Sequence, residues 1–319
     1  MVNQEKGWYG HAMLRKLQIW RDRRGNVSVL RVAALTLLLM PLAKAVWDTD
    51  AIIHGARPIN DVIHRAGFWM LMFLLTALAI TPMRRITRLG ELIDVRRMIG
   101  VGAFLYGVAH ISLYTADQMF DFTKVASEIA QRVYLTIGFT ALMGLLALAS
   151  TSTDAVVRNL GAKRWQHLHQ LVYLIGGLAL IHYFQQTKAD VSVPTFTAGV
   201  FAWLMGYRIL LRLRNTRAEP STFALAGLGV AAALATMAAE AVGIAIVFNV
   251  SPLTVLGLNF DFDIDLDMIR PGWLVLAAGL AVAALNALCA WARPPRRAHA
   301  APDKRAAAAP MAVRERSAA

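Results

Sequence analysis

Four histidines fall inside or beside apolar stretches long enough to cross a bilayer. His110 lies in "IGVGAFLYGVAHISLY", and "RWQHLHQLVYLIGGLALIHYF" carries His167, His169 and His182. An imidazole in hydrocarbon is costly unless something binds it, so each one marks a candidate site. The chemistry open to it there is narrow: a hydrogen bond to a neighbouring helix, a proton relay, or a ring nitrogen given to a metal. A single isolated histidine is adequately explained by the hydrogen bond. Two at matched depth on different helices point to the metal.

That depth depends on the elements carrying them. The chain has 319 residues, of which 57% are hydrophobic and only 17% charged. Soluble domains carry more charge, and runs of about 20 apolar residues span a bilayer as helices. Eight such runs are expected, at 29–47, 63–82, 98–114, 133–150, 167–186, 195–211, 222–248 and 272–291. The fold class is therefore an all-α integral membrane bundle. With both termini in the cytoplasm, inner segments hold 25 Lys and Arg, against four in outer ones (Arg57, Lys124, Lys188 and Arg270). That bias sets the orientation. It also explains the net charge of +13 without nucleic acid. The "AKA" at 43–45 resembles a signal-peptidase site, but the long basic leader favours a retained first span.

Other chemistries lose support. The one cysteine, Cys289, rules out an intrachain disulfide, covalent haem attachment through Cys-x-x-Cys-His and a cysteine-ligated iron–sulfur cluster. There is no Gly-x-Gly-x-x-Gly fingerprint after a strand, no Walker loop and no His-Glu-x-x-His.

Span three enters from the inside, which carries His110 toward the outer leaflet. Span five places His169 near the inner surface and His182 about 20 Å further out at 1.5 Å per residue. His110 and His182 thus share a depth, as a b-type haem held by two imidazoles in a helix bundle requires. Gly102, Gly107, Gly176 and Gly177 are the expected source of room for the macrocycle. His64, at the outer end of span two, is a weaker candidate because the interface can solvate it. On a straight helix His169 lies about 140° from His182, whereas His167 lies only about 60° away. Periodicity therefore favours His167 for an inner site, unless a distortion at Gly176–Gly177 intervenes.

The stretches "HRAGFWMLMFLLTALAITPMRR", "VRRMIGVGAFLYGVAHISLY" and "LALASTSTDAVVRNLGAKRWQHLHQLVYLIGGLALIHY" together resemble the MsrQ/YedZ family of the ferric-reductase-like transmembrane superfamily. The resemblance covers roughly residues 30–212. It implies a haem b subunit, with FMN also associated. Its electrons would come from membrane quinol or a cytosolic flavin reductase. They would go to a periplasmic molybdopterin subunit that reduces methionine sulfoxide. It also implies residence in the bacterial inner membrane, surrounded by lipid. Carried over, the family's histidines match His110, His169 and His182, which ranks His169 above His167. Thirteen residues before His110 stands Arg97, next to Arg96, where two-haem relatives have a histidine. A guanidinium is a poor iron ligand but pairs well with a flavin phosphate or haem propionate, so the inner site is expected to hold FMN or quinone near His169, Arg96 and Arg97.

The organisation expected is a basic N-terminus (1–28), a haem-binding core (29–212), two additional spans (213–292) and an Ala/Pro/Arg-rich disordered tail (293–319). The family pattern ends after six spans, so the last two are a departure. Glu240 lies within span seven, toward its outer side, where interfacial solvation is the simpler account. Asp261, Asp263, Asp265 and Asp267 alternate in "NFDFDIDLDMIRPG", but Leu266 stands where a calcium loop needs Gly. Two rival functions remain: a reductase acting directly on outside ferric or cupric ions, and a solute or proton transporter using the histidines and Glu240 as a relay.

Overall fold

The computed structural model describes residues 20–21, 25–55, 57–187, 190–214, 220–261 and 269–292. The expected N-terminal region lies mostly outside these residues. The tail at 293–319, Asp263, Asp265 and Asp267 lie outside them entirely.

Among the described residues the secondary structure is helical apart from one isolated bridge between Arg21 and Val27. Helix α1 (Val29–Trp47) starts at Ser28, whose hydroxyl accepts from the Arg31 N–H. A short α2 (Thr49–Ile53) leads to α3 (Pro58–Thr87), which opens on Pro58 and ends where Arg88 turns left-handed at φ 60°. The missing N–H of proline costs nothing at a first helical position. Next come α4 (Leu92–Asp117), α5 (Phe122–Gln131) and α6 (Val133–Ser150). Two short helices, α7 (Asp154–Leu160) and α8 (Ala162–His169), precede α9 (Leu171–Gln186) and α10 (Ser192–Leu213). The chain closes with α11 (Thr222–Phe248), α12 (Pro252–Gly257) and α13 (Pro271–Trp291).

Seven of these helices are long and apolar enough to cross a membrane: α1, α3, α4, α6, α10, α11 and α13. The protein is an all-α, multi-pass membrane bundle. The fifth expected span differs in detail, because the helix is interrupted at Gln170 and α9 has only 16 residues. At 1.5 Å per residue that is about 24 Å, short of a bilayer's apolar thickness. The interruption falls between His169 and His182, not at Gly176–Gly177. Gln170 itself stays in the right-handed helical region at φ −70° and ψ −20°, so the break loosens the 100°-per-residue relation that favoured His167 without abolishing it.

Helix α3 is the centre of the bundle. It packs against α4, α9, α10 and α13, and it buries Leu71, Phe73, Leu74 and Leu78 almost completely. Helix α6 packs on α9, α4 and the amphipathic α5. The last hairpin, α11 with α13, packs on α10. Its two helices cross at glycines: a Cβ on Gly279 would stand 2.5 Å from the Gly229 Cα. In lipid, where no hydrophobic force gathers helices, such close backbone approach provides the attraction. Glu240 is not solvated at the interface as expected. Its side chain is 5% exposed and accepts from Arg270 Nη1 at 3.3 Å, tying α11 to the segment that enters α13.

Candidate functional site

A cavity of about 220 Å³ opens between α3, α4, α6 and α9, at the end of the bundle where α3 and α6 begin and α4 and α9 finish. His110 from α4 and His182 from α9 both line it. Their ring centroids are 6.3 Å apart and the ring planes are inclined at 82°.

Each ring is held by its Nδ1. His110 Nδ1 lies 2.8 Å from the Ile63 carbonyl oxygen on α3, and His182 Nδ1 lies 2.8 Å from the Tyr134 carbonyl oxygen on α6. A carbonyl only accepts, so both Nδ1 atoms must carry the proton. In a neutral imidazole the lone pair then resides on Nε2. A metal-binding histidine is oriented in this way, by a partner on the nitrogen that does not bind. The spacing also suits a shared metal. Two metal–imidazole bonds of about 2 Å, plus about 1 Å from each nitrogen to its ring centre, come to about 6 Å. Among the described residues no group of three or more His, Cys, Asp and Glu side chains joins them. Two axial imidazoles are what a haem iron takes from the protein when the porphyrin supplies its other four nitrogens.

The cavity wall has two characters. Met70, Leu71 and Leu142 line the deeper part, while Asn60, His64, Asp117 and Gln186 stand at the helix ends that form its mouth. His64 therefore belongs to the site as a residue of the mouth, in addition to being exposed. An amphiphilic ring with one apolar and one carboxylate-bearing edge matches that gradient.

Four glycines were expected to make room, and the structure distributes their roles differently. Gly107 does line the cavity. A Cβ on Gly102 would meet Leu38, one on Gly176 would meet Phe201, and one on Gly177 would meet nothing within 4 Å. The glycines that face the imidazoles are Gly67 and Gly138, which sequence reasoning passed over. A Cβ on Gly67 would stand 3.1 Å from the His110 ring, and one on Gly138 would stand 2.7 Å from the His182 ring. A signal was present: each is the glycine of a Gly-Phe step in the N-terminal part of a span, at the depth assigned to the histidines.

At the opposite end of the bundle His169 is half-buried, while His167 is exposed. The His169 ring stacks on Trp165 at 4.0 Å, and its Nε2 lies 3.3 Å from the Thr151 hydroxyl. Arg96 is half-buried, within electrostatic range of Tyr173, Arg208 and Arg84. Arg97 is ion-paired to Asp154 at the start of α7. Arg96 and Arg97 both act electrostatically on His169, so these three residues share one region. Arg208 stands over the Tyr173 ring at 5.2 Å and donates to the carbonyls of Leu204 and Leu78.

Residues 64–180 match the family described as "Ferric reductase like transmembrane component". That match includes His110 and His169 and ends two residues before His182. The chain is also similar to curated proteins named protein-methionine-sulfoxide reductase heme-binding subunit MsrQ. The one from Xanthomonas euvesicatoria pv. vesicatoria is 40% identical over 210 residues, covering 62% of this chain and 96% of the relative. The one from Ralstonia nicotianae is 37% identical over 195 residues, covering 60% of this chain and 90% of the relative. No solved structure matches.

Proposed function

Because this chain belongs to the MsrQ family, we propose that it is the haem-binding electron-transfer subunit of a methionine-sulfoxide reductase system. The observation that carries this reading is the imidazole pair: two rings 6.3 Å apart, each with Nδ1 held by a backbone carbonyl and Nε2 left to bind. Haem b held there would supply one-electron chemistry that no side chain of this protein can perform. The protein's own contribution is to hold His110 and His182 in one tautomer. It also walls the deeper cavity with apolar side chains and leaves a polar mouth at one edge.

The finer proposal retains the orientation set by the basic residues. The imidazole pair then faces the periplasmic side of a bacterial inner membrane, and both termini are cytoplasmic. The electron acceptor is a periplasmic molybdopterin subunit that reduces methionine sulfoxide. The donor is membrane quinol or a cytosolic flavin reductase. Arg96, with Arg84 and Arg208 nearby, forms a cationic region beside His169 that suits the phosphate of FMN or a quinone head group. Arg97 contributes to its field while paired to Asp154. The protein carries electrons, and the repair reaction belongs to the partner.

A second reading has one specific support, the match to a ferric-reductase-like component. In it the same site would deliver electrons directly to chelated ferric ion outside. Rapid reduction of chelated iron by the purified protein, without any partner, would select it.

The test is to purify the protein in mild detergent and record oxidised and dithionite-reduced spectra with haem quantified per chain. A b-type spectrum should be present in wild type and lost in His110→Ala and His182→Ala. Retention of the outer signal in His169→Ala, with unchanged haem per chain, would assign the inner region to something other than a second haem. A colourless wild type, purified from haem-supplemented cells, would sink the reading and favour the relay.

A further inference from the structure

The cavity wall is built twice from the same plan. Residues lining it from α3 have counterparts on α6 that lie 71 positions later: Ile63 with Tyr134, Gly67 with Gly138, Phe68 with Phe139 and Leu71 with Leu142. Those from α4 have counterparts on α9 that lie 72 positions later, including His110 with His182. Each half is a helix pair in which the second helix sends a histidine back to the first. In both halves the imidazole reaches a carbonyl, Ile63 or Tyr134, and the residue four places on from that carbonyl is glycine.

That spacing has a physical reason. In an α-helix the carbonyl of residue i already accepts from the N–H of residue i+4, but it has a second lone pair. Side chains lean toward the helix N-terminus, so the Cβ of residue i+4 lies close to that oxygen. Glycine removes it and opens a path by which an imidazole from another helix can reach the carbonyl. The other residue types shared by the two halves, Phe, Leu and His, form walls and ligands. Several counterparts differ instead: His64 with Leu135, and Met70 with Ala141. What remains identical is what a flat ligand gripped from both sides would need twice.

We infer that Gly67 and Gly138 are positioning residues, the seats that let His110 and His182 present Nε2 to a metalloporphyrin. This rests on the haem reading above, and the duplicated register carries it beyond that reading. The acceptors are backbone carbonyls, which no substitution removes, so the glycines are the points at which the seat can be tested. A Cβ at position 138 would come as close as 2.7 Å to the His182 ring, which forces the imidazole off its carbonyl. At position 67 the nearest approach is 3.1 Å, which displaces the His110 ring only slightly. The two substitutions therefore differ in severity.

The experiment compares wild type, Gly67→Ala, Gly138→Ala and Gly177→Ala in the full chain. Gly177 is on the same helix as His182, but an added Cβ there meets nothing within 4 Å. Gel filtration reports folding, haem titration reports affinity, and electron paramagnetic resonance of the ferric protein reports the axial ligands. Disturbing the partner that orients a metal-bound histidine costs about 10–100-fold in affinity. Gly138→Ala should approach that loss and show a high-spin or altered low-spin signal. Gly67→Ala, the milder change, should fold and show a shifted low-spin signal with a smaller loss. Gly177→Ala should match wild type. Wild-type affinity and signal in both seat variants would overturn the inference alone. An equal loss in Gly177→Ala would also overturn it, because the bundle would then simply reject methyl groups. A colourless wild type would overturn the haem reading and this inference together.

Discussion

An imidazole becomes a useful ligand only when something decides which nitrogen carries the proton. For His110 and His182 that decision is made by carbonyls at 2.8 Å, and the rings end up nearly perpendicular, at 82°. If the proposed haem is held by rings in this perpendicular arrangement, the resonance signal of its ferric form should be of the strongly anisotropic low-spin type. An ordinary rhombic spectrum would show that the rings turn parallel when the metal is bound. A second residue-scale prediction concerns the pair in the C-terminal hairpin. Glu240 is buried and Arg270 is its ion-pair partner. Arg270 is 27% exposed, so only its removal leaves a buried polar group without its partner, at a cost of about 1–3 kcal/mol. Arg270→Ala should therefore lower the melting temperature in detergent well below that of Glu240→Gln. Equal, small effects would mean the carboxylate is hydrated from outside.

At the scale of elements, a few polar ties determine how helices sit against each other. Arg208 joins three of them: it leaves α10, donates to the Leu78 carbonyl of α3 at 2.8 Å and covers the Tyr173 ring of α9. Hydrogen bonds from a charged donor contribute about 1.5–3 kcal/mol, so Arg208→Met should destabilise the bundle by about that amount. Chemical unfolding in mixed micelles would measure it. A surface ion pair also links α1 to α3: Asp48, which follows α1, receives Lys44 and Arg65, the latter at 2.8 Å. Hydrogen bonds from Lys44 and then Arg65 hold this carboxyl below its ordinary value. A lowered carboxylate stabilises the fold above its unfolded pKa of about 4, and the contribution disappears as pH falls through the lower folded value. The stability difference between wild type and Asp48→Asn should be constant from neutral pH to about pH 5 and shrink below about pH 4. A difference that grows in acid would contradict this assignment.

For the whole molecule, the important division is between the four helices that build the site and the hairpin that packs on α10. The cavity is walled by α3, α4, α6 and α9, whereas α11 and α13 meet each other at Gly229 and Gly279. A bulky side chain at that crossing should push the hairpin apart without entering the cavity. Gly279→Leu is expected to lower thermal stability by several degrees while the haem spectrum and haem per chain stay at wild-type values. Loss of haem in that variant would show that the hairpin, which also touches α3, sets the position of the ligand helices. The same view accounts for the opposite end of the bundle. In the register of the repeat His169 corresponds to Arg97, so the motif that is complete at one end of the bundle lacks its second imidazole at the other.

The sequence by itself determined the bundle class, the places of seven of the eight expected spans though not every end, and the matched depth of His110 and His182. Apolar length and rise per residue are local properties, and each follows from a single segment. The resemblance carried by the same segments also indicated the family and favoured His169 over His167. Only the tertiary structure showed which glycines face the imidazoles. Gly67 and Gly138 lie against histidines 43 and 44 residues away, and no local pattern encodes which neighbouring helix a ring will meet. Only it placed Glu240 against Arg270, since interface and interior look alike along one helix. And only it located the break between α8 and α9 at Gln170 and not at Gly176–Gly177. Depth is a property of one helix, but contact belongs to two.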